Sequence, residues 1–353
     1  MQSNSFQYQK IDISLASFIK FFMVVGLLWA AWILRDLMVA MLVSILIATP
    51  TSGLADKLQK FYIPRGLTAF TVLALFIGVL VGVVVLFVPL LSGELSNFSD
   101  TIPQFQVEIR NFVNSFTRAN DIQQIVGRIT TNDVSTFSQN IIHYATSALG
   151  ATASAATSFI VQLLIIFVLT FYFAVQEKGV ERFLRLISPK SNEDYVVDLW
   201  GRSQKKIQSW INGQLLLAAV IGVITYVALT ILGMQHALLF GLLAAVCEII
   251  PIVGMTIATI PAVLIGYLTG GFSLFIKVLV FYLILGQLEN HVLSPIVVGK
   301  VVGIPSIIVI IALLIGGMLA GFWGVLLAVP IAAIVMEFVE DVEKQKAALP
   351  NIG

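Results

Sequence analysis

Between Lys300 and Glu337 the chain carries no charged residue: "VVGIPSIIVIIALLIGGMLAGFWGVLLAVPIAAIVM" fills residues 301–336. As one straight helix that run would reach about 54 Å at ~1.5 Å per residue, far beyond the ~30 Å hydrocarbon layer of a bilayer. Gly316, Gly317, Gly321, Gly324 and Pro330 fall inside it. Glycine and proline weaken a helix interior, so the run predicts a broken hairpin of two arms.

The rest of the chain agrees with a bilayer as its solvent. Of its 353 residues 58% are hydrophobic and 11% charged, against roughly 25% charged in soluble domains. Residues 17–34, 66–91, 155–176 and 211–232 each approach the ~20 apolar residues that one helical crossing needs. Residues 37–50 are shorter and pair with the first segment through the polar corner Arg35-Asp36. The first segment reads as an anchor, not as a cleaved signal, because further spans follow it. These observations predict an all-α integral membrane protein with about eight hydrophobic segments, two C-terminal pairs being interrupted or re-entrant helical hairpins. One cysteine, Cys247, excludes an intramolecular disulfide and a CxxC site. The net charge of +1 argues against nucleic acid as a partner.

Lysine and arginine concentrate in loops on the cytoplasmic side. Residues 51–65 hold three basic residues and one acidic, and residues 177–206 hold seven and five; residues 92–150 hold three and five. The first two are expected in the cytoplasm and the third outside, with both termini cytoplasmic. The domain organisation follows: N-terminal spans in 1–91, an extracytoplasmic amphipathic segment in 92–150 and a span in 151–177. Cytoplasmic amphipathic helices (178–210), a C-terminal transport core (211–336) and a cytoplasmic tail (337–353) complete it. In the external segment Phe98, Ile102, Phe105, Ile109, Phe112 and Phe116 form one apolar helical stripe, expected to lie on the membrane or against a neighbouring subunit. A second stretch begins near Asp133 with Val134, Phe137 and Ile141. In the cytoplasmic helices Ser191 and Asp194 resemble a capping signal, and Arg202, Lys205 and Lys206 are placed to reach anionic lipid.

Polar residues then decide where chemistry can sit. The chain lacks GxxxxGK[ST], HExxH and GxSxG, and its histidines, His143, His236 and His291, are scattered. No catalytic residue, resident metal or cofactor is expected, and an enzyme is disfavoured. Arms 237–250 and 255–268 span about 21 Å each, and "EIIPIVG" joins them with Glu248, Pro251 and Gly254 at the bend. Pro251 withholds an N–H from the Cys247 carbonyl, and irregular backbone at such depth must face protein or water. A glutamate there is costly in lipid and belongs in an interior or a cavity. Ending a helix at a wetted interface is the plainer role for Glu248; carrying a proton or touching a substrate is the functional one. Further on, "GQLENHVLSP" places Gln287, Asn290, His291 and Ser294 on one helical face ahead of Pro295. Glu289 points away from that face, toward another subunit or the 248–254 turn. The segments "GLLAAVCEIIP" (241–251) and "GVLLAVPIAAI" (324–334) are loosely alike, the pattern expected if interrupted hairpins meet near one central site.

Three stretches carry a family resemblance: "INGQLLLAAVIGVITYVALTILGMQHALLFGLLAAVCEIIPIVG", "GQLENHVLSPIVVGKVVGIPS" and "GGMLAGFWGVLLAVPIAAI". Their E-x-I-P-x-x-G, Q-x-E-x-x-x-x-x-P and G-x-x-G-x-x-L-A-V-P patterns resemble the autoinducer-2 exporter family of multi-pass permeases, over roughly residues 15–345. The resemblance implies a protein of the bacterial or archaeal inner (plasma) membrane, assembled as a homo-oligomer, by the family's habit a pentamer. It also implies export of a small signalling molecule in some members and cation/proton antiport in others. The chain is therefore expected to be a secondary permease exporting a small polar solute such as an autoinducer-2-like signal, with protons as a coupling partner. A monovalent cation/proton antiporter and an uncoupled channel-like assembly are the alternatives. The candidate pathway comprises Glu248, Pro251, Gly254, Gln287, Glu289, Asn290 and Pro295.

Overall fold

The computed structural model describes residues 15–60, 62–116, 152–176, 179–251, 253–297 and 304–348, and every regular element among them is helical. In chain order these are α1 (Leu15–Ile33), α2 (Arg35–Gln59), α3 (Arg65–Phe116), α4 (Thr152–Val175), α5 (Gly179–Ile187), α6 (Glu193–Ile231) and α7 (Ala237–Cys247). Then come α8 (Gly254–Leu288), a π-helical turn at Glu289–Leu293, α9 (Ser294–Val297) and α10 (Ser306–Ala348). Among the described residues five stretches are long and apolar enough to cross a membrane: Arg35–Gly53, Arg65–Phe87, Glu193–Ile231, Gly254–Val297 and Ile307–Lys344. The protein is an all-α, multi-pass membrane protein. α1 gives way to α2 at Leu34, and the Arg35 guanidinium lies 4.7 Å from the Trp32 ring centre.

Two of the long helices fold back on themselves. In α8, Gly271 adopts φ 65° and ψ −165°; in α10, Ala320 leaves helical geometry and Gly321 adopts φ 56°. Side-chain-bearing residues rarely take such angles, and glycine takes them without steric cost. On a straight helix residues 266 and 278 would stand about 18 Å apart, yet a Cβ at Gly266 would meet the Val278 side chain at 3.3 Å. Gly316 likewise packs on the backbone of Gly324. The first arm of α8, 254–270, and its second, 272–288, are equally long, so residue 289 returns to the level where α8 began. The first arm of α10, 306–319, reaches only about 21 Å, and the broken hairpin expected for the uncharged run is present.

α6 packs on α7 and on α10. α8 packs on α7 and α3, α7 also meets α3, and α10 packs on α2 as well as α6. The main core gathers Leu217, Ile221, Phe240, Ala258, Ile265 and Val278, all at most 2% exposed. Removing one such side chain costs about 2–5 kcal/mol in a packed interior. A separate core holds Val43, Ile166 and Leu327, where Ser44 donates to Ala40 O (2.6 Å) and Ile166 O (3.2 Å). A hydroxyl away from water has few partners other than backbone carbonyls.

Three local expectations change. The apolar stripe is not a separate segment but the far end of a span: α3 continues unbroken through Pro89 and Pro103 to Phe116. Two members of the stripe cover the α8 reversal, with Phe105 4.5 Å from Tyr267 and 5.2 Å from Phe275, and Phe112 5.2 Å from Phe272. The stretch at 133–141 lies outside the described residues. Asn192, and not Ser191, occupies the position before α6, without a side-chain cap; Arg185 instead bridges Glu181 (3.3 Å) and Glu193 (3.0 Å). Arg202 and Lys206 turn toward protein and not lipid. Arg202 bonds Glu337 (2.9 Å), Asp341 (2.5 Å) and Asp198 (3.0 Å), and Lys206 pairs with Glu337 and Glu340. The acidic side chains one turn apart on α10 offer these cations closer partners than headgroups do.

Candidate functional site

α7 ends at Glu248, whose N–H still donates to Ala244 O at 2.9 Å. The chain then turns tightly. Ile250 N donates to Cys247 O at 3.0 Å and Gly254 N to Ile250 O at 3.0 Å. The carbonyl that Pro251 was expected to orphan is thus satisfied by a tighter, three-residue bond. Gly254 is needed for the closeness of this turn: a Cβ there would collide with the Cys247 carbonyl and lie 2.9 Å from Glu248 Cα. Pro251 is half-buried within it. The Glu248 carbonyl accepts a hydrogen bond from Gln214 Nε2, a side chain of α6 that is 4% exposed.

Because α8 reverses at Gly271, Glu289 comes back to this turn. Glu248 is 1% exposed and Glu289 4%, and the two carboxyl groups lie close enough to interact. Glu248 Oε1 and Glu289 Oε2 are buried without hydrogen-bond partners, as is Tyr282 Oη two turns before Glu289. Two adjacent negative charges out of water repel strongly, about 4 kcal/mol at contact range for an effective dielectric near 20. A proton or a cation between them removes that repulsion.

Of the sequence candidates, the structure unites Glu248, Pro251, Gly254 and Glu289. Gln287, Asn290 and His291 are exposed, and His291 Nδ1 lies 3.0 Å from Gln287 O. Pro295 is exposed on α9, with Ser294 half-buried beside it. The polar face and the buried carboxylate therefore part company, and of the two neighbours open to Glu289 the turn is the one it meets. Gln214 and Tyr282 were missed by sequence reasoning. A glutamine inside the apolar stretch 211–232 is the signal that would have found the first, since polar side chains at membrane depth seek partners.

The transport-protein model of the AI-2E family matches residues 21–344. The chain belongs to the AI-2E transporter family. Its relatives include YueF of Bacillus subtilis (strain 168), 25% identical over 292 residues, covering 80% of this chain and 78% of that one. YrrI of the same organism is 24% identical over 322 residues, covering 89% of each. The AI-2 transport protein TqsA of Escherichia coli (strain K12) is 21% identical over 307 residues, covering 85% of this chain and 84% of its own. This AI-2E chain is a membrane transporter.

Proposed function

We propose that the chain is a secondary exporter of a small polar solute, of the kind named for its relative TqsA, and that Glu248 and Glu289 carry its coupling proton. The contact of two buried carboxyl groups at the tip of the α7–α8 hairpin supports this reading most directly. A shared proton keeps the pair in place, and exposure to water on either side lets it leave. Gln214 holds the turn through its backbone, so the pair can change access without losing its geometry. The chain sits in the inner membrane with both termini in the cytoplasm. The exposed face of Gln287, Asn290 and His291 suits contact with a further copy in a homo-oligomer.

The unpartnered oxygens of the same pair support a second reading, in which a monovalent cation replaces the proton and the chain exchanges one for the other. Proteoliposome flux under an imposed pH gradient separates the readings. Autoinducer-2 efflux driven by the gradient, abolished in Glu248→Gln and Glu289→Gln with normal insertion, is the expected result. Sodium or potassium movement against the gradient without solute flux favours the exchanger. Solute flux indifferent to the gradient in the parent and both variants refutes coupling and leaves an uncoupled channel.

A further inference from the structure

The far end of α3 grips the reversal of α8 across both of its arms. Phe105 lies 4.5 Å from Tyr267 on the first arm and 5.2 Å from Phe275 on the second, and Phe112 lies 5.2 Å from Phe272. Phe275 in turn stacks on Phe272 at 5.6 Å and meets the Tyr267 ring edge-to-face at 6.3 Å, so the three rings of α8 form one seat. Edge-to-face ring contacts hold by fit and separate without breaking an ion pair.

One polar group sits in this grip. Steps of three and four put Glu108 on the same face of α3 as Phe105 and Phe112, and there it lies close enough to the Tyr267 hydroxyl to interact. Its Oε2 is buried without a hydrogen-bond partner among the described residues. A carboxyl oxygen so placed carries a desolvation cost while the contact is closed and is hydrated once it opens. Pro103, two residues before Phe105, gives the helix no N–H and marks where this end can bend away from the rest of α3. Ring packing closes the grip, and one unsatisfied oxygen weakens it.

The hairpin held at its reversal ends at Glu289, and its first arm starts from the turn that follows Glu248. Packed helices shift as rigid pieces, so motion at the reversal reaches the carboxyl pair. We propose that the end of α3 beyond Pro103 is a latch that must leave the α8 reversal for the transport cycle to proceed. The latch rests on the reading of Glu248 and Glu289 as the transport site, but its test does not require a coupling proton.

In a Cys247→Ser background, Phe112→Cys and Phe272→Cys are bridged in proteoliposomes by a short bis-methanethiosulfonate reagent, and autoinducer-2 flux is followed with and without a pH gradient. Bridging is expected to lower flux about tenfold or more, and reductant to restore it, while neither single cysteine responds. Flux that survives bridging overturns the latch even where a proton is coupled; flux stopped by bridging supports it even where the gradient is ignored. A second measurement needs no transport: the rate at which a bulky maleimide labels Phe272→Cys alone, in nanodiscs. Tyr267→Phe keeps the ring and strips Glu108 of its neighbour, and is expected to speed labelling about threefold or more. Glu108→Leu sets apolar surface against the rings in place of the unsatisfied oxygen, and is expected to slow labelling by a similar factor. Rates that do not fall in that order overturn the proposal.

Discussion

Replacing Arg202 with methionine removes the centre of the ionic clasp between α6 and the end of α10. Arg202 makes charged contacts of 2.9 Å to Glu337, 2.5 Å to Asp341 and 3.0 Å to Asp198. The Glu337 side chain is only 6% exposed, so it loses a partner without gaining full hydration. Stripping one member from a fully buried pair costs about 3–5 kcal/mol, and an exposed pair contributes about 0–1. The Arg202 side chain is 34% exposed and Lys206 still meets Glu337, so about 1–2 kcal/mol is expected. That corresponds to a roughly 5- to 30-fold rise in local opening. Hydrogen exchange of backbone amides in 337–348 reads it directly, with Lys205→Met as the control, since Lys205 is exposed. Arg202→Lys should restore charge but not the fork, and recover only part of the protection. Exchange in 337–348 that is the same in Arg202→Met and Lys205→Met would refute the clasp as a restraint on α10.

Two further predictions test the frame around the site. Gly254→Val should cost about 2–4 kcal/mol, because its Cβ meets the Cys247 carbonyl and the turn must shift. Thermal unfolding in detergent should show this as a lowered midpoint, and an unchanged midpoint would mean that the turn is slack. Single cysteines at Asn120 and Ser191, in a Cys247→Ser background, should label differently in intact cells: an impermeant reagent reaches Asn120 and spares Ser191. The reverse pattern would invert the basic-loop orientation.

Much of the protein is legible in the local chemistry of its residues. Uninterrupted apolar runs demand a bilayer, and in a bilayer backbone groups must bond within their own segment, which dictates helices. Glycines inside a run too long for the membrane mark the α10 break, and Glu248, Pro251 and Gly254 mark the turn between α7 and α8. Spaced polar signatures point to the family. Periodicity, however, orients a residue about its own helix axis and does not say what stands opposite. It sets Glu289 apart from Gln287, Asn290 and His291, but only the reversal at Gly271 delivers it to Glu248. The same holds for Gln214, 34 positions before the carbonyl it bonds, and for Arg202, 139 before Asp341. Those meetings depend on how hairpins return and pack, and packing over such separations leaves no local pattern in the chain.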